Sequence, residues 1–203
     1  MHRSIQWSAL HPIEHGIHGA ELWMARHLFD HGTTNIAIVK VACGGTSLYK
    51  DWNSESGGPY WYALTQGVAR AVAAFPTEHT LEPLAFFWQQ GGNDAKKQVM
   101  ATSYSNNLVN LAHNFCNFME GQGMSVSNMQ FITALTVTGG VKRPYLGTVR
   151  LAQESVPAQF HLGSSVETAD LPLFDTNGHI NAIGQNRLGI RLAEKMMNTM
   201  KDL

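Results

Sequence analysis

Charge is scarce in this sequence. Lys, Arg, Asp and Glu make up 14% of its 203 residues, and 14 cations against 15 anions leave a formal net charge of −1. With no excess of either sign, the chain carries no electrostatic footprint for nucleic acid or a membrane surface, and the expected partner is a small uncharged molecule. Cysteine is scarcer still. Cys43 and Cys116 have neither the number nor the spacing of a disulfide framework or a zinc site, and both read as small buried residues. No apolar run is long enough for a membrane span, and no secretory signal follows Met1. The chain therefore reads as cytosolic, or as a mature or partial form of something longer.

Apolar residues, by contrast, make up 44% of the chain, enough for a real core, and the length fits one domain over residues 1–203. Near the N-terminus His2, His11, Glu14, His15 and His18 invite a metal-site reading, but Pro12, Gly16 and Gly19 argue against the helix that would align them. Residues 21–31 carry a helical apolar face, as do residues 61–74, 95–120 and 184–200, with a shorter helix at 150–155. Three apolar, β-branched or aromatic runs, at residues 35–43, 84–90 and 129–138, read as buried strands. Alternating strands and helices without a repeat predict a three-layer α/β/α sandwich around a parallel sheet.

Each of the first two strands runs into glycine. Gly44-Gly45-Thr46-Ser47 follows the first, where backbone N–H groups suit an oxyanion or a phosphate, although no G-K-[ST] follows as a phosphate loop requires. A plain strand-to-loop turn would look the same. Gly91-Gly92-Asn93-Asp94 follows the second, bringing a carboxamide to the same sheet edge, an oxyanion-hole arrangement. Between them lies an aromatic, Gly-rich loop with Trp52, Tyr60 and Trp61, suited to a sugar-facing wall or equally to a plug over the core. Near the C-terminus, Asp175 and His179 stand four apart in an Asp-Thr-Asn-Gly turn. They are the base half of a triad, or else a turn-capping carboxylate and a surface histidine.

Taken together these stretches resemble the SGNH hydrolases, and more closely their sialate O-acetylesterase and acetylxylan esterase branch. Gly16-Ile17-His18-Gly19-Ala20-Glu21-Leu22 is similar to that branch's G-x-G-P-E-[LM] segment. Gly44-Gly45-Thr46-Ser47-Leu48 with Trp52, Trp88-Gln89-Gln90-Gly91-Gly92-Asn93-Asp94, and His179 with Asn181, Gly184-Gln185 and Leu188-Gly189 carry the rest. The resemblance implies hydrolysis of an ester, typically an acetyl group on a carbohydrate, with no metal or organic cofactor. It makes His179 the general base and Asp175 its orienting acid. A backbone N–H at Gly44 or Gly45 and the Gln90 amide become the oxyanion donors, with Asn93 a rival donor, and Thr46, Trp52, Tyr60 and Trp61 line the substrate side.

Three departures from the branch stand out. Gly92 replaces the glutamate of W-x-Q-G-E-x-D, and the acid lies four residues before the histidine rather than three, so that Asn177 and Asp175 both fall near its place. The third is the nucleophile. The family's serine sits in a Gly-Gln-Ser-Asn-Met block on the first strand, which has no counterpart here: Ser4 lacks its flanks and Ser47 belongs to the oxyanion turn. The expectations are therefore a sheet whose usual first strand is missing or replaced, covered by an N-terminal segment or another copy of the chain, and two open functions: a carbohydrate-ester hydrolase, or an inactive saccharide-binding relative.

Overall fold

The computed structural model describes Ala9, residues 18–139 and residues 142–201. Three short strands, β1 (Ala85–Trp88), β2 (Gln130–Ala134) and β3 (Gly163–Val166), form a parallel sheet in that order, with Phe86 opposite Phe131 and Ile132 opposite Ser164. Side chains alternate across a strand, so one face of the sheet carries Phe86, Trp88 and Phe131 and the other Ile132, Ala134 and Val166. Among the described residues five α-helices cover the two faces.

On the first face lie α2 (Pro59–Ala73), α3 (Gln98–Gly121) and α4 (Leu146–Ser155), packing Leu64 and Val68, Tyr104 and Leu108, and Val149 and Ala152 into one core. Stacked rings of Phe86 and Phe115 at 4.2 Å, and of Phe86 and Phe131 at 5.7 Å, fill its centre. On the second face, α1 (Ala20–Asp30) and α5 (Ala182–Lys201) bury Met24 and Leu28 against Leu188, Leu192 and Met196. The i, i+4 spacing in α5 is what sends these three to one side. Pro59 opens α2 at a position where its missing N–H costs nothing, and Asn181 Oδ1 accepts the Gly184 N–H at 3.0 Å to cap α5. The expected α/β/α layering is present.

Two strand expectations need correction. Residues 35–43 join no ladder among the described residues, and Asn35 turns through φ 58°; Ile36, Ile38 and Val41 are half-buried against the cores, while Ala37, Val39 and Ala42 are exposed. The outer edge of β1 likewise has no ladder partner among the described residues. Conversely β3, built from Gly163-Ser164-Ser165-Val166, was not expected. Of the N-terminal histidine cluster, all but His18 lies outside the described residues, and no group of three metal-ligating side chains occurs among those described. No described helix is long and apolar enough to cross a membrane.

Candidate active site

Parallel strands present their carboxyl ends at one edge of the sheet, the usual place for a ligand in such sheets. At the end of β1 the chain turns through Gln90-Gly91-Gly92-Asn93 into a single 3-10 turn, Asp94–Lys96. Asp94 is fully buried there, and burial raises its pKa even though three donors oppose that shift: Gln90 Nε2 at 2.7 Å, Leu48 N–H at 3.0 Å and Tyr49 N–H at 2.9 Å. Its carboxylate thus pins the backbone just after Gly44-Gly45-Thr46-Ser47 to the end of β1. That role is not visible in the sequence, where Asp94 is simply the last letter of a motif.

Gln90 reinforces the clamp. An amide nitrogen carries two protons, and Gln90 gives one to Asp94 and the other to the Thr46 carbonyl at 2.9 Å. Its own backbone carbonyl accepts Tyr104 Oη at 2.7 Å and Gln153 Nε2 at 2.5 Å. Gln90 therefore holds the turn in place and has no proton left for an oxyanion. Asn93 differs, donating one amide proton to the Gly45 carbonyl at 3.1 Å and keeping the second. Gly45 sits at φ +74°, and among the described residues the N–H groups of Gly44 and Gly45 meet no acceptor and a methyl group on either would meet nothing within 4 Å. The turn faces open space with its donors unused.

Chemistry of the opposite kind stands on the loop before α5. Leu173 and Ile180 form an antiparallel bridge that closes this loop, and Phe174 N–H donates to the His179 carbonyl at 2.7 Å. Inside it, Asp175 Oδ1 accepts the N–H groups of Asn177 at 2.9 Å and His179 at 3.2 Å, while Oδ2 lies 2.7 Å from His179 Nδ1. Asp175 is thus both the turn-capping carboxylate and the partner of the ring. These hydrogen bonds, the one from His179 first, hold its pKa down to about 2. A carboxylate only accepts, so Nδ1 carries the proton and the Nε2 lone pair is left outward on a side chain that is 71% exposed. Asn177 Nδ2 reaches Asp175 from 3.3 Å and supports the carboxylate rather than replacing it.

Of the two readings open for the aromatic loop, a substrate-side wall or a plug over the core, Trp52 takes the plug. That ring is 5% exposed, stacked on Tyr60 at 5.1 Å and edge-on to Trp88 at 5.4 Å, with Nε1 donating to Thr46 Oγ1 at 2.7 Å. Thr46 in turn donates to the Cys43 carbonyl, so its hydroxyl is spent on the turn. Tyr60 and Trp61 are half-buried at the start of α2, and Cys43, expected to be buried, is exposed with Sγ 2.8 Å from Tyr60 Oη. In this stretch Tyr49 and Tyr62 are exposed, and Phe174, beside Asp175, is more exposed still.

Unused backbone donors at the end of one chain run and an acid-oriented histidine on a loop of the same α/β sandwich are the two candidate halves of the site. Residues 2–198 match the family described as SASA, carbohydrate esterase, sialic acid-specific acetylesterase, and the chain belongs to that family. In fold it is similar to a protein from Arabidopsis thaliana, with a TM-score of 0.70 and 23% identity over 86% of this chain and 66% of the other. It is similar too to Est24, a carbohydrate acetylesterase from Sinorhizobium meliloti, with a TM-score of 0.59 and 16% identity over 92% of both chains. The chain thus spans just under two thirds of the Arabidopsis protein. Among curated proteins no significant match is found.

Proposed function

We propose that this chain hydrolyses O-acetyl esters of carbohydrates, with His179 as general base and general acid. The observation that carries this reading is the 2.7 Å contact between His179 Nδ1 and Asp175 Oδ2, which fixes the tautomer and leaves Nε2 free. Nε2 takes the proton from the attacking O–H as its oxygen bonds to the acetyl carbon, and returns it to the sugar alkoxide as the ester C–O bond breaks; the acetyl group leaves as acetate at once where water attacks, or after water hydrolyses the acyl-enzyme where a serine does. The N–H groups of Gly44 and Gly45 and the spare proton of Asn93 hold the oxyanion, while Gln90 and Asp94 brace the turn that aims them. Family membership supports the acetyl carbohydrate as substrate class.

The test is turnover of 4-nitrophenyl acetate and of an O-acetylated saccharide. His179→Ala is expected to lose several orders of magnitude, Asp175→Asn roughly 10³- to 10⁴-fold in kcat. Asn93→Ala should lose roughly 10²- to 10³-fold. Equal rates for wild type and His179→Ala would overturn the assignment. One observation favours a second reading, an inactive saccharide-binding relative: among the described residues no Ser, Thr or Cys side chain hydrogen-bonds His179, and the Ser47 hydroxyl is given to Asp51 at 2.8 Å. Saccharide binding by titration calorimetry, without turnover of either ester, would establish it.

A further inference from the structure

Arg143 lies between the two halves of the site, and no sequence motif marks it. Its backbone is fixed just ahead of α4, where the Leu146 N–H donates to the Arg143 carbonyl at 3.0 Å and the Tyr145 N–H to the Ala95 carbonyl at 3.1 Å. From there the guanidinium reaches two separate segments. Nη1 donates to the Val137 carbonyl, just past β2, at 3.2 Å, and Nη2 to the Asn177 carbonyl, in the loop of Asp175 and His179, at 2.6 Å.

Glycine stands on both sides of the group. A methyl on Gly178 would lie 2.7 Å from Nη2, and one on Gly92 would lie 3.3 Å from Cζ, at the corner that ends β1. Gly92 is the position where the resembled esterases carry glutamate, so here the guanidinium packs where that side chain would otherwise project. Arg143 makes no ion pair among the described residues. Its Nε is buried without an acceptor, and burial pulls its pKa below the ordinary guanidinium value. A half-buried cation whose hydrogen bonds all go to backbone carbonyls on different segments acts as a bracket: its planar fork reaches the two acceptors from separate nitrogens held in a fixed geometry, which the single nitrogen of lysine does not reproduce.

We propose that Arg143 is a positioning residue that holds the Asp175–His179 loop against the ends of β1 and β2. Its meaning for catalysis rests on the esterase reading, whereas the bracket itself does not. The direct readout is hydrogen exchange of the Asn177 and His179 amides, both of which donate to Asp175 Oδ1. In Arg143→Met, exchange of these two amides is expected to accelerate at least 10-fold while α4 and α5 keep wild-type rates. Arg143→Lys should behave likewise, and it carries the test should the Met variant not fold. On an acetyl ester, kcat should fall at least 10-fold with KM within about twofold, because substrate contacts are untouched and only the base is misplaced. Wild-type exchange at Asn177 and His179 in both variants, or acceleration spread evenly through α4 and α5, would overturn the proposal. Faster loop exchange in a chain that turns over no ester would sustain the bracket and sink the esterase reading alone.

Discussion

Gln90 Nε2 and Asp94 Oδ2 face each other at 2.7 Å across the corner that follows β1. Through this contact and the N–H groups of Leu48 and Tyr49, one buried carboxylate ties the candidate oxyanion turn to the sheet. Asp94→Ala leaves three donors without that acceptor, the Leu48 N–H in a buried contact and those of Gln90 and Tyr49 in part-buried ones. Each such loss costs about 1–3 kcal/mol before the surroundings relax, so the variant should lose about 3 kcal/mol or more of unfolding free energy. Denaturant titration measures it, and a loss under 1 kcal/mol would show that the clamp is dispensable.

Trp52 separates stability from substrate contact. Because its ring is buried between Tyr60 and Trp88, Trp52→Ala should cost about 3–5 kcal/mol of stability. Tyr62, which is 58% exposed, should tolerate Tyr62→Ala within about 0.5 kcal/mol. Thermal melts of the two variants side by side decide the matter. A mild Trp52→Ala with weakened saccharide affinity would return that ring to the substrate wall.

The contrast between residues 35–43 and β3 explains what the sequence made legible. Ile36, Ile38, Val39 and Val41 have strand composition, but a strand is a property of a pair, and no described neighbour supplies a ladder. Gly163-Ser164-Ser165-Val166 has little strand composition, yet β2 pairs with it and the Pro157 carbonyl crowds Gly163 so closely that only glycine fits. The helices were readable because periodicity is local. Asp175 and His179 were readable for the same reason, being four residues apart. Gln90, Asp94 and Arg143 act on carbonyls, N–H groups and side chains tens of residues away in several cases, and their spacing carries no sign of which proton goes where.

Acid should loosen the His179 loop in a defined window. The folded pKa of Asp175 is lowered from 3.8 to about 2, so its contribution is complete above the unfolded value, near 4, and is lost as pH falls through about 2. Protection of the Asn177 and His179 amides, corrected for intrinsic exchange, should therefore be flat from pH 7 to about 4 and fall between about 4 and 2. Asp175→Asn should abolish that acid transition. A transition centred near pH 5 in wild type would mean that another group controls the loop.

Gly45 and Gly178 share a left-handed backbone, at φ +74° and +82°, but differ in their surroundings. Alanine at either position meets the conformational penalty of about 1–2 kcal/mol that a Cβ incurs there. At Gly45 nothing lies within 4 Å, so Gly45→Ala should stop at that penalty. Its effect on an acetyl ester should arise from the new methyl standing in front of the free N–H groups. At Gly178 the methyl would also press on Arg143 Nη2 at 2.7 Å and on the Gly139 carbonyl at 2.9 Å. Gly178→Ala should therefore destabilise by more than Gly45→Ala and also speed exchange of the His179 amide, because the bracket and the loop it holds must separate. Unfolding free energies and amide exchange on the two variants give the comparison. Equal destabilisation with an undisturbed His179 amide would show that the loop can shift without Arg143 and that the close packing at Gly178 has no bearing on the base.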